Sequence, residues 1–159
     1  LRETAQEADV NRQLMTIAAH ELGHAVAARH FDLDVGDITV YGDGPSVHGK
    51  TGIIDLRKGS RFLDPESYPH FDELYRLCVV LLAGQAATDY WIQENCGFPQ
   101  FSAQKDYDHI RLLESLHTYD FPWADGKDHV EALIVNEWSR IRSWVKRLAD
   151  EGYLHGSWL

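Results

Sequence analysis

The sequence predicts an α+β domain that is mostly helical, with about four helices and one small antiparallel β-hairpin or sheet. Three observations predict it. Apolar residues recur at helical spacing over long stretches. After the first of these the period changes to two short β-rich runs. No internal repeat, low-complexity tract or linker divides the 159 residues, a length that suits one domain with a sizeable core. A single domain over residues 1–159 is therefore expected.

The first helix is expected from about Glu3 to His30, where Gly23 is the one helix breaker and Leu14, Ile17, Ala18, Leu22, Ala25 and Val26 recur at helical spacing. Asp37–Tyr41 and Thr51–Asp55 are β-rich and separated by a stretch that includes Gly42-Asp43-Gly44-Pro45-Ser46, which reads as a hairpin or small sheet. A second long helix begins near Pro69 and runs through Leu74, Leu77, Leu81 and Leu82 to about Gln93. Asn95-Cys96-Gly97-Phe98-Pro99 ends it. Ser102 suits the N-cap of a third helix reaching about His117. Phe121–Gly126 reads as a turn. The fourth helix, about Asp128 to Asp150, carries Val130, Ile134, Trp138, Ile141, Val145 and Leu148 on one face.

A formal charge of −10 argues against nucleic acid as a partner and against anionic membrane surfaces, since both require a basic face. The apolar run Leu77–Leu82 is too short to span a bilayer, so no membrane segment is expected in this chain. No signal peptide is visible, and cytoplasmic is the default location; a start at Leu1 fits a fragment or processed form. Cys78 and Cys96 form neither a disulfide framework nor a CxxC zinc site, and Cys78 reads as a small buried thiol.

The chemistry is concentrated in His20-Glu21-Leu22-Gly23-His24. Residues four apart on a helix point within about 40° of each other, so His20 and His24 can present two imidazoles to one ion. Zinc takes two neutral imidazoles and one further protein ligand, with a fourth position left for water. Glu21 lies about a quarter turn from His20, placed to touch that water without occupying the metal. It is the expected general base for attack on a carbonyl.

The third ligand has several candidates. His30 nearly completes the pattern HExxHxxGxxH of metzincins, but the turn-making glycine is replaced by Ala27 among strong helix formers. A continuing helix turns His30 about 120° away from His24, and Met15 precedes the motif, so no downstream Met-turn follows. The metzincin pattern is rejected. Glu73 and Asp89 on the second helix are alternatives of the kind gluzincins use. Glu73 falls in an early polar turn, whereas Asp89 follows a small-residue stretch and could also hydrogen-bond a liganding histidine. Asp106 heads the stripe Asp106, Ile110, Leu113 and His117, a face able to pack inward, while Asp108 heads a more mixed one. A carboxylate on an inward face is costly unless it is paired or binds a metal. The pattern alone leaves Asp89 and Asp106 open.

Thr16–Val26 resembles the start of the peptidase domain of FtsH-type ATP-dependent zinc proteases. Ile38–Tyr41 and Gly49–Gly52 resemble the strands that follow the motif there. Leu81-Leu82-Ala83-Gly84-Gln85-Ala86-Ala87 is similar to the family's "LLGGRAA", and Ser102–Asp106 to its "GAxND". Glu131–Val135 and Gly152–Gly156 look like its last long helix and its end, so the likeness spans nearly the whole chain. Gln85 replaces the family's usual Arg, and Thr88 stands where Glu is common, with Asp89 next to it.

The resemblance implies a zincin-like domain with one zinc ion per chain, held by His20, His24 and Asp106, with Glu21 as catalytic base. Thr88 and Asp89 are the residues expected to support the ligands. It implies a polypeptide substrate, adding as a strand beside Thr51, Gly52, Ile53 and Ile54. The family forms hexamers, so a homo-oligomer is among the expected assemblies. These 159 residues show no Walker motif. The expectation is thus a stand-alone endopeptidase for flexible or unfolded polypeptides, served where needed by a separate ATPase or delivery partner. The alternative is a catalytically weak metal-binding module with a regulatory or interaction role.

Overall fold

The structure is a computed structural model that describes residues 2–43, 46–55, 60–61, 71–95 and 104–159. The expected features at Gly44-Pro45, Pro69, Cys96–Pro99 and Ser102 lie outside the described residues.

The chain is α+β and mostly helical, with four long helices and a small antiparallel sheet. Helix α1 spans Ala5–His30. Its start is fixed by a capping box: the Thr4 hydroxyl accepts from the Glu7 backbone N–H, and the Glu7 carboxylate accepts from that of Thr4 at 2.7 Å. From Thr16 to Ala28 every residue of α1 is buried. This follows from its position, since it packs against helices α2 (Phe71–Asn95) and α4 (Trp123–Glu151) and against strands β1 (Asp34–Asp43) and β2 (Ser46–Asp55). A helix covered on all sides needs apolar or small residues all round. Gly23 makes the closest approach: a Cβ there would sit 2.5 Å from the Ala83 carbonyl oxygen of α2.

The sheet has the order β3-β2-β1-β4, with β3 at Ser60–Arg61 and β4 at Tyr153–His155. Both expected strands are present but longer than expected. A register shift between Val35 and Ile38 explains how these residues, three apart, are both buried, because the extra residue restores the inward face. Strand β4 was not foreseen. Gly152, in the left-handed region at φ 75°, ends α4, and the next three residues pair with Asp37–Thr39.

Helix α3 spans Gln104–His117, with Ile110 and Leu113 buried. Phe121–Gly126, read from sequence as a turn, is mostly helical: α4 begins at Trp123, directly after Pro122. Gly126 lies within this helix, and the Phe121 ring occupies the space that a Cβ there would need. No helix among the described residues is long and apolar enough to cross a membrane.

Candidate metal centre

His20 and His24 project from the buried middle of α1 toward α2 and α3. Each has its Nδ1 engaged by α2. His24 Nδ1 lies 2.8 Å from the Val80 carbonyl oxygen, which can only accept, so this nitrogen carries the proton. The Thr88 hydroxyl donates to the Gly84 carbonyl at 2.9 Å, which leaves its oxygen to accept from His20 Nδ1 at 3.1 Å. In their neutral forms, both rings therefore turn an Nε2 lone pair to the same place.

Those two Nε2 atoms are 2.9 Å apart. Asp106, in the first turn of α3, brings Oδ2 to 3.0 Å from His20 Nε2 and 3.4 Å from His24 Nε2. One ligand atom from each of the three residues lies within 4.8 Å of the others. The set therefore gathers two imidazole lone pairs and a carboxylate oxygen in a largely buried place. Such a cluster is repulsive until a proton or a metal ion fills it. Two imidazoles and one carboxylate are a donor set that suits zinc, and these residues could hold a metal ion.

The protonation of the metal-free cluster shows the same demand for positive charge. Burial disfavours the His24 imidazolium, but the hydrogen bond to Asp106 and its charge outweigh this and raise the pKa to about 9. Burial, aided by the neighbouring His24 charge, holds His20 below its ordinary value. Burial also opposes ionisation of Asp106, but hydrogen bonds from the two imidazoles hold its carboxyl well below the usual carboxylate range.

Gly84 gives the rings room. A Cβ there would lie 2.5 Å from His24 Nε2 and 2.7 Å from His20 Cε1. Glu21 is buried on the side of α1 toward β2. The Thr51 hydroxyl donates to its Oε2 at 2.5 Å and lies 3.0 Å from its backbone carbonyl. A Cβ on Gly49 would come within 2.6 Å of Oε1. The Glu21 charge favours protonation of both imidazoles, adding to the rise at His24 and only partly opposing the burial that keeps His20 low.

Comparison with protein-family models and with curated proteins returns no match. The geometry is therefore what speaks for the site.

The other sequence candidates are placed as follows. His30 is exposed at the end of α1, its ring 4.9 Å from Phe31 and 5.9 Å from His129. Glu73 sits in the first turn of α2 and is outside the cluster that could hold a metal ion. Asp89 is exposed and accepts from Gln85 at 2.5 Å, so Thr88, and not Asp89, is the supporting residue that meets a ligand. Asp108 is exposed and accepts from Gln104.

The expected edge strand needs one correction. Ile54 pairs with Arg61 of β3, so the edge is covered there. Thr51 and Ile53 pair with β1 on one side and, with Gly52 between them, have no strand on the other among the described residues. Sequence reasoning missed Gly84, Gly49, the Val80 carbonyl and the contact of Thr51 with Glu21. Val80, Gly84 and Thr88 recur at four-residue spacing on one face of α2, a signal that the sequence does contain. A backbone carbonyl leaves no trace in a residue pattern.

Proposed function

We propose that the protein is a zinc-dependent endopeptidase acting on flexible or unfolded polypeptide, similar to the peptidase domain of FtsH-type proteases. The observation that carries this reading is the convergence of His20 Nε2, His24 Nε2 and Asp106 Oδ2, with Nδ1 of each ring fixed by α2. A zinc ion held by these three residues would supply Lewis acidity for activating water and polarising a carbonyl.

The chain's own residues do the rest. Val80 and Thr88 fix the tautomers that turn Nε2 of each ring toward Asp106, where a metal would be held. Glu21 takes the proton of the attacking water and delivers it to the leaving amine, with its carboxylate oriented by Thr51. A peptide in extended conformation would add along Thr51–Ile53, next to that carboxylate. A substrate that needs unfolding first would depend on a separate ATPase or delivery partner.

The test is cleavage of a casein-like disordered substrate, with and without chelator, beside metal analysis. Wild-type protein should bind one zinc per chain and cleave, and chelation should stop cleavage. Glu21→Gln should abolish cleavage while its zinc content stays at the wild-type level. Full activity in that variant would sink the mechanism. Zinc bound without any cleavage by the wild type would point to the regulatory or interaction module.

A further inference from the structure

We infer that Thr51 is the positioning residue for the Glu21 carboxylate, an inference that rests on the peptidase reading for its catalytic meaning. Glu21 is 6% exposed. A carboxyl group that far from water needs hydrogen-bond partners, and a long side chain needs contacts to hold one rotamer. Both needs are met from a different element. The Thr51 hydroxyl reaches from β2 to Glu21 Oε2 at 2.5 Å, the short distance of a charge-assisted O–H···O⁻ bond.

Gly49, two residues earlier and so on the same face of β2, completes the arrangement. Its missing side chain leaves the space beside Oε1 and Cγ, which a Cβ would approach to 2.6 and 2.8 Å. One carboxylate oxygen is thus held by a hydroxyl and the other lies over bare backbone. Helix α1 alone supplies the base next to His20, but β2 decides where its oxygens point. A serine in place of Thr51 keeps the donor; a valine keeps the shape and removes it.

The experiment compares Thr51→Val and Thr51→Ser in the full chain, zinc-loaded, on an unstructured fluorogenic peptide. Thr51→Val should lower kcat by about 10- to 100-fold with KM and zinc content near wild type, the loss expected for a misplaced base. Thr51→Ser should restore most of it. An unchanged kcat in Thr51→Val overturns the inference, as does a loss that serine fails to rescue.

A second readout does not depend on cleavage. Difference infrared spectroscopy identifies the Glu21 carboxylate stretch by its loss in Glu21→Gln. Thr51→Val should shift that band and Thr51→Ser should leave it in place. An unshifted band overturns the inference even in an active enzyme. A band shifted by Thr51→Val, where the wild type cleaves nothing, leaves the positioning intact and removes the peptidase reading instead.

Discussion

Asp106 Oδ2 lies 3.0 Å from His20 Nε2, although the two residues come from different helices and are far apart in sequence. Asp108, two residues further along α3, is exposed and bonded to Gln104. The pair therefore separates the proposed ligand from a helix-surface acid. Asp106→Asn should weaken zinc binding by more than the roughly 10- to 100-fold that loss of an outer-shell partner costs. Asp108→Asn should leave it unchanged. Competition with a chromophoric chelator measures both. The wild type should also unfold at a higher temperature with zinc, gaining about 2.7 kcal/mol at a hundredfold excess over Kd, and Asp106→Asn should lose that gain.

Gly84 and Gly23 are both buried helical glycines, and alanine at either gains about 1 kcal/mol of helix propensity. What each Cβ meets decides the outcome. At Gly84 it meets the two imidazoles, and at Gly23 the Ala83 backbone oxygen at 2.5 Å. Side chains can yield, whereas helix backbone moves only as a unit, and overpacking of this kind costs about 1–3 kcal/mol. Gly84→Ala should fold with a small change in stability and lose zinc affinity. Gly23→Ala should lose more stability by forcing α1 and α2 apart. Denaturant unfolding and zinc titration of both variants check the contrast.

Cys78 is fully buried, and burial pushes its thiol up to about 12 from an ordinary 9.0. In a Cys96→Ser background it should resist alkylation until the protein unfolds. The pH dependence has a definite sign. Above pH 9 the unfolded thiol loses its proton and the folded one keeps it, so the native state binds more protons and stability falls as pH rises toward 12. The slope is roughly 1.4 kcal/mol per pH unit for one proton. Tyr119, also raised to about 12, adds in the same direction above its ordinary 10.0. Cys78→Ala should therefore flatten the alkaline slope in part, as measured by urea unfolding across that range.

Much of this molecule is legible as local pattern. The fourfold spacing of His20 and His24 puts them on one face of any helix that forms, and Glu21 follows a quarter turn away. The apolar faces of α3 and α4 read directly, because each repeats at helical spacing. Asp106 heads the stripe of Ile110 and Leu113, both buried, but in the pattern its contrast with Asp108 is modest and Asp89 stays open beside it. Misreadings arose where a local signal met a packing demand. Gly126 looks like a turn residue, yet it lies in α4, and its glycine is explained by the Phe121 ring that fills the space of a Cβ. Strand β4 is three residues long, too short to show alternation, and exists because β1 offers it an edge.

The sequence by itself determined the four helices, the pair of imidazoles and the glutamate beside them, since each depends on neighbours within a few turns. Only the tertiary structure decided what surrounds them. Residues Leu77 to Gly84 of α2 are buried without interruption, so periodicity could not say which face meets α1. The fold places Val80, Gly84 and Thr88 against the two rings and brings Asp106 to their Nε2 atoms. It also lays Gly49 and Thr51 over Glu21. Those contacts join separate elements, and their geometry is set by how helices and sheet pack together.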